Sequence, residues 1–121
     1  MKFLVYGCQG WIGSKVYNHL KSNQYEVIEG NSRVNDVKQL ENEILNVKPT
    51  HLLSLIGRTH GTYNDEYIGT IDYLEKPGKL VENVRDNLFG PMVLGFLAKK
   101  HQFHFSYLGT GCIFQFDETH P

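Results

Sequence analysis

Apolar residues in this chain fall into short runs separated by amphipathic stretches. Phe3–Tyr6 is a continuous apolar run of strand length, almost at the N-terminus. From Trp11 to Asn23 the apolar positions Ile12, Val16 and Leu20 recur every fourth residue, which predicts a helix with one buried face. Tyr25–Ile28 reads as a second strand. Asp36 is placed to cap a helix carrying Val37, Leu40, Ile44, Leu45 and Val47, and Pro49 stops it. His51–Ile56 is a third apolar run, interrupted by Ser54. Residues 58–78, rich in Gly, Thr, Tyr and Asp, read as a long irregular loop. Lys79–Lys100 predicts a long helix bent near Gly90-Pro91. Phe103–Leu108 predicts a fourth strand, with Phe103, Phe105 and Tyr107 alternating with His104, Ser106 and Leu108.

Strands that alternate with helices predict parallel pairing, right-handed crossovers and a sheet covered on both faces. A glycine run sharpens this into a fold. "YGCQGWIGSK" places Gly7, Gly10 and Gly13 three residues apart between the first strand and the first helix. Each glycine has a use in a dinucleotide-binding turn: Gly7 for the tight turn off the strand, Gly10 for close approach of a pyrophosphate, Gly13 for helix–strand packing. The helix N-terminus, with Trp11 and Ile12 in its first turn, then offers unpaired N–H groups to phosphate. The expectation is an α/β fold: a Rossmann-type doubly wound parallel sheet forming one domain over residues 1–121. The turn-like ending "CIFQFDETHP" so soon after a strand predicts truncation after that strand, and hence the N-terminal part of a longer enzyme.

Composition excludes some alternatives. The net charge of −1 provides no field for nucleic acid or a membrane surface. No apolar run approaches the roughly 20 residues of a membrane span, and Gly7, Cys8 and Gln9 interrupt any leader-like stretch. Cys8 and Cys112, far apart and without histidines at ligand spacing, fit a reducing cytoplasmic setting rather than a disulfide or a zinc site.

The end of the second strand faces the adenosine ribose in such folds, where an acid favours a free 2′-hydroxyl and an arginine a 2′-phosphate. "EGNSRVND" holds both: Glu29 near the strand end, Ser32 and Arg33 on the loop. A guanidinium with a hydroxyl suits a phosphate, which favours NADP(H) over NAD(H). Polar, glycine-rich segments follow the other strands too. Ile56, Gly57 and Arg58 would pass beside the ribose and pyrophosphate. Thr59 and His60 fall within reach of nicotinamide or substrate, His60 reading equally as an exposed loop residue. Thr110 can donate to a substrate carbonyl oxygen. Cys112 reads either as a proton donor next to a ketone or as a small buried residue. Asn87, inside the long helix, reads either as solvent-facing or as a buried amide near the site.

Taken together, "YGCQGWIGSKV", "SRVNDVKQLENEILNVKPTHLLSLIGRTHG", "TIDYLEKPGKLVENVRDNLFGP" and "YLGTGCIF" resemble the N-terminal part of 4-dehydrorhamnose reductases. These are extended short-chain dehydrogenases/reductases, and the segments are similar to giant-virus reductases and to plant bifunctional 3,5-epimerase/4-reductases. "GWIG", "IGRTHG" and "GTGCIF" are the most specific parts. The resemblance implies NADPH-dependent reduction of the C4 ketone of a nucleotide-linked 4-keto-6-deoxy sugar in rhamnose biosynthesis, with a nucleotide-sugar substrate. It also implies a homodimer of the full-length enzyme. Thr110 matches the catalytic Ser/Thr, Cys112 a cysteine associated with epimerisation, Asn87 the asparagine of the fourth helix, and Arg33 the cofactor-selecting arginine. The family's Tyr-x-x-x-Lys lies downstream of the Thr, and none of the tyrosines present reads as a substitute. That departure implies a chain inactive by itself. It also leaves open a second reading, a non-catalytic dinucleotide-binding or regulatory module.

Overall fold

Strand β1 (Lys2–Tyr6) lies at the centre of the sheet, as its uninterrupted apolar run requires. Leu4 and Val5 have no exposed surface and Tyr6 almost none. The computed structural model describes residues 1–109 and Glu118, so the expectations for Thr110 and Cys112 lie outside the described residues. Helix α1 (Trp11–Ser22) carries the chain to β2 (Glu26–Glu29), and α2 (Val37–Val47) carries it to β3 (His51–Ser54). Asp36 caps α2 as its position predicts, its carboxylate accepting from Gln39 N at 3.0 Å. That helix ends at Lys48, in a left-handed conformation, one residue before Pro49.

One sequence expectation needs correction. Residues 58–78 are not an irregular loop. They hold a hairpin, β4 (Gly61–Tyr63) and β5 (Glu66–Ile68), followed by a 3₁₀ turn over Ile71–Glu75. Asn64 and Asp65, both at positive φ, form the two-residue connection, a geometry those residue types tolerate. The long helix forms as expected, running without a gap through α3 (Leu80–Val84), one π-turn (Arg85–Phe89) and α4 (Gly90–His101). The π-turn falls where the sequence places a bend, and Pro91 supplies the reason. It has no N–H to return to the carbonyl of Asn87, so the preceding turn widens by one residue.

Strand β6 (His104–Tyr107) completes a four-stranded sheet of order β2-β1-β3-β6, parallel throughout. Its order reverses between β1 and β3, because the chain first steps to one side of β1 and then to the other. The crevice at such a reversal, beyond the carboxyl ends of the strands, is where ligands bind in open α/β sheets. Two apolar layers hold the sheet. Leu4, Tyr6, Leu40, Ile44, Leu52 and Leu94 pack on the face covered by α2 and α4, with Phe103 and Phe105 against them. Phe3, Val5, Cys8 and Val27 pack with Tyr17 and Leu20 on the α1 face.

Ser54 is fully buried at the end of β3, and among the described buried side chains its hydroxyl alone has no hydrogen-bond partner. A buried hydroxyl without a partner carries its desolvation cost uncompensated. Ser54→Ala is therefore expected to leave the denaturant midpoint unchanged or raise it. A loss of stability beyond about 1 kcal/mol would show instead that the hydroxyl is bonded in solution.

Candidate functional site

The glycine run forms the floor of the crevice, and its three members differ in what surrounds them. Gly7 has φ +90°, and a Cβ there would stand 2.7 Å from the carbonyl of Leu55. A Cβ on Gly13 would overlap the carbonyl oxygen of Gly7. Both positions are fixed by the chain's own backbone, which lets α1 start against the end of β1. Gly10 is different. It is exposed, in ordinary extended conformation, and a Cβ there would meet only Gly7 O at 3.4 Å. Gly10 gives α1 no side-chain cap, and no acidic residue lies in the helix's first turn. The first-turn amides of an α-helix lack intrahelical partners, so this end is left electropositive.

Around this floor opens a cleft of about 720 Å³, lined by the β1–α1 loop, the β2–α2 loop, the residues after β3, and the π-turn. The β2–α2 loop is held by Glu43 of α2. Its carboxylate accepts from Tyr6 Oη at 2.8 Å, Asn31 N at 2.8 Å and Ser32 N at 3.0 Å. Burial pushes the Glu43 carboxyl up, but the hydrogen bonds more than offset this and hold it below the ordinary range. Burial and the same partner keep the Tyr6 phenol protonated well above its usual range. Tyr6 fits because Gly30 has no side chain; a Cβ there would overlap its ring. Arg33, next on the loop, lines the cleft, is exposed, and has no ion-pair partner among the described residues.

The residues after β3 are held by the π-turn. Asn87 grips the backbone of Arg58 twice: Arg58 N donates to Asn87 Oδ1 at 2.8 Å, and Asn87 Nδ2 donates to Arg58 O at 2.9 Å. The neighbouring Asp86 is 9% exposed and accepts from two guanidinium groups. Arg58 Nε reaches it at 2.8 Å, Arg85 Nε at 2.6 Å and Arg85 Nη2 at 2.9 Å. Burial pushes the Asp86 carboxyl up, and the two arginines pull it below the usual carboxylate range. At the bottom of the cleft the Cys8 thiol donates to Val5 O at 3.2 Å. Burial, with Glu29 nearby, pushes that thiol up to about 11, so it remains protonated at neutral pH.

Of the residues singled out by sequence, the cleft gathers Gly7, Gly10, Ser32, Arg33, Ile56, Gly57 and Arg58. Trp11, Ile12 and Gly13 lie just beyond it in the first turn of α1, Trp11 with its ring 75% exposed and Lys15 Nζ 4.7 Å from the ring centroid. Asn87 stands behind Arg58 rather than in the lining. Thr59 and His60 are exposed beyond the lining; they bond to each other at 3.1 Å, and the His60 ring packs edge-on against Tyr67. Sequence reading missed Glu43 and Asp86, which sit on helices and hold residues distant in sequence, and Arg85, which pairs with its neighbour Asp86. One tyrosine does have a lysine four residues on. Tyr17 and Lys21 lie in α1, with Lys21 Nζ 4.9 Å from the Tyr17 ring centroid, but Tyr17 packs in the α1 layer and neither residue lines the cleft.

The strand order, the crevice at its reversal and the glycine floor define a Rossmann-type α/β fold. Comparison with known proteins is specific beyond that. The chain is 50% identical to the L780 UDP-rhamnose synthase of Acanthamoeba polyphaga mimivirus and superposes on its crystal structure with a TM-score of 0.88. The match covers 95% of this chain and 39% of that one. It is 30% identical over 119 residues to the bifunctional dTDP-4-dehydrorhamnose 3,5-epimerase/dTDP-4-dehydrorhamnose reductase of Arabidopsis thaliana, covering 98% of this chain and 36% of that protein. No family model matches. At 12% identity, the dTDP-4-dehydrorhamnose reductase of Bacillus anthracis in complex with NADP shares the fold, with a TM-score of 0.68 over 86% of this chain and 34% of that one. Other fold neighbours are complexes with NAD. The homologues of this chain thus include a UDP-rhamnose synthase and a plant epimerase/reductase, in keeping with the motifs. The chain spans less than two fifths of the length of each of these relatives.

The Glu43 brace has a testable pH signature. Its folded-state pKa is depressed, so its stabilising contribution is fully present above the unfolded value, about 4.3, and is lost as pH falls through the lower folded value. Denaturant midpoints measured on the acid side are expected to fall less steeply with pH in Glu43→Gln than in the parent chain. Parallel curves would show that the brace does not form in solution.

Proposed function

We propose that this chain is the cofactor-binding part of a nucleotide-sugar 4-reductase of rhamnose formation, taking NADPH across the carboxyl ends of its strands. The observation that carries this reading is Gly10. The chain's own packing accounts for Gly7 and Gly13, but a side chain at Gly10 would meet, among the described residues, only Gly7 O, in ordinary contact at 3.4 Å. That space lies over an uncapped helix N-terminus, where a pyrophosphate would meet bare backbone and unpaired amides.

Bound NADPH would supply the hydride that reduces the C4 ketone of a nucleotide-linked 4-keto-6-deoxy sugar. Gly7, Gly10 and the first-turn amides of Trp11, Ile12 and Gly13 would hold its pyrophosphate. Ser32 and Arg33 would take the 2′-phosphate: the Glu43 brace fixes their loop, and Arg33 is left with its charge uncommitted. Ile56, Gly57 and Arg58 would pass beside the cofactor's ribose and pyrophosphate, with Asn87 fixing the backbone they follow. Thr59 and His60 would face the substrate. By resemblance, Thr110 donates to the C4 oxygen, and Cys112 moves a proton at a carbon beside the ketone in an accompanying 3,5-epimerisation. The general acid and its lysine belong to the part of the family fold that follows Thr110.

Titration of the purified chain with NADPH and NADH tests the reading. Gly10→Val is expected to weaken both by about tenfold or more while the thermal midpoint holds, because the backbone at residue 10 is compatible with any side chain. Wild-type affinity in that variant would remove the pyrophosphate from this loop. Arg33→Ala is expected to weaken NADPH by roughly tenfold and leave NADH within about twofold, the difference one charged hydrogen-bonding partner makes. Equal affinity of the parent chain for both cofactors would remove the NADP preference.

A further inference from the structure

The wall of the cleft formed by the π-turn carries charge that the cofactor reading uses only through Arg58, leaving Arg85 without a role. Arg58 and Arg85 both line the cleft, and both are tied to one carboxylate, Asp86. Two guanidinium groups on one carboxylate leave an excess of one positive charge at that wall. A second acid, Glu82, lies 3.6 Å from Arg58 Nη1, but it also accepts from Lys79 Nζ at 3.0 Å and Tyr73 Oη at 2.7 Å. Lys79 offsets its charge.

The donor inventory points the same way. Each guanidinium has five N–H donors in a planar fork. Arg85 uses the edge made by Nε and Nη2 on Asp86, and Arg58 uses Nε on Asp86. The remaining N–H groups of Arg85, and those of Arg58 other than the one facing Glu82, have no protein acceptor among the described residues. The arrangement is also pre-set. Asp86 is buried and cannot swing away, Asn87 fixes the Arg58 backbone, and the π-turn is what presents Asp86 and Asn87 side by side to the segment after β3. Guanidinium pairs held in this way suit the geometry of phosphate oxygens.

We propose that Arg58 and Arg85, locked by Asp86, form a second phosphate subsite on the π-turn wall of the cleft, which takes the diphosphate of a bound nucleotide. The proposal rests on the reading of the cleft as a nucleotide site. The diphosphate has two sources, the dinucleotide cofactor and a nucleotide-linked sugar, and they are separated by titrating the chain with NADPH in one arm and with UDP in the other. The parent chain, Arg85→Gln and Arg85→Lys are compared in each arm, with thermal midpoints measured alongside.

Arg85→Gln is expected to weaken at least one ligand by about tenfold, and Arg85→Lys, which keeps the charge but loses the fork, by less. The weakened arm identifies the source. The dependence of log affinity on log salt is expected to be shallower in the glutamine variant for that ligand. If the glutamine variant does not fold, Arg85→Lys carries the test, with a loss of about threefold or more expected. A parent chain that binds NADPH or UDP, with variants that bind it as well, overturns the subsite alone and makes the arginines a brace for the helix. A parent chain that binds neither overturns the nucleotide reading of the cleft, and the subsite with it.

Discussion

Helix α1 begins in direct contact with the end of β1, and the site depends on that contact. The carbonyl of Gly7 occupies the place where a side chain at residue 13 would stand, and Gly7 itself lies against the backbone of Leu55. Two backbone-to-backbone approaches therefore bring three segments together: the end of β1, the start of α1 and the chain leaving β3. A single methyl group on either glycine would force them apart. Because they meet, the uncapped end of α1 opens at the reversal of strand order rather than at the side of the sheet. The glycine run is thus first a packing device, and the open space over Gly10 is its consequence.

What the sequence revealed, and what it concealed, divides along the range of the interactions. The β-α-β-α-β start was legible because each element carries its own signal: the apolar run of Phe3–Tyr6, the four-residue period of α1, the Asp36 cap. The glycine floor was legible for the same reason, being contiguous. The hairpin at residues 61–68 escaped notice because its strands are three residues each and partly exposed, too short for alternation to stand out. Asn64-Asp65 was its one local signal. The π-turn was half legible. Pro91 marks the bend, but where the extra residue goes depends on what Asp86 and Asn87 bind, and those partners lie 28 and 29 positions away. Glu43 reads in sequence as one more charge on an exposed helix face. Only the fold places it under a loop whose bonded Asn31 lies twelve residues before it.

The carboxylates near the cleft explain how a chain with net charge −1 can present a surface fit for anions. Glu43 accepts from a phenol and two loop amides, and Asp86 lies between two arginines. Both acids serve as internal braces, their oxygens turned to the chain's own donors. What remains toward the opening is the amide end of α1, the uncommitted Arg33, and the outer edges of Arg58 and Arg85. Local electrostatics here are set by which charges are already engaged, not by the overall balance.

Glu29 is the exception, and it bears on which cofactor fits. It ends β2 and lines the cleft, where an acid favours a ribose hydroxyl over a 2′-phosphate. Among the described residues its carboxylate is paired with no cation. Instead one oxygen accepts from Gln9 Nε2 at 2.5 Å, a bond across the mouth of the glycine loop. That bond ties the acid to the β1–α1 loop, whereas Arg33 sits on the β2–α2 loop braced by Glu43. The acid and the guanidinium are thus held by different loops and, among the described residues, form no ion pair with each other.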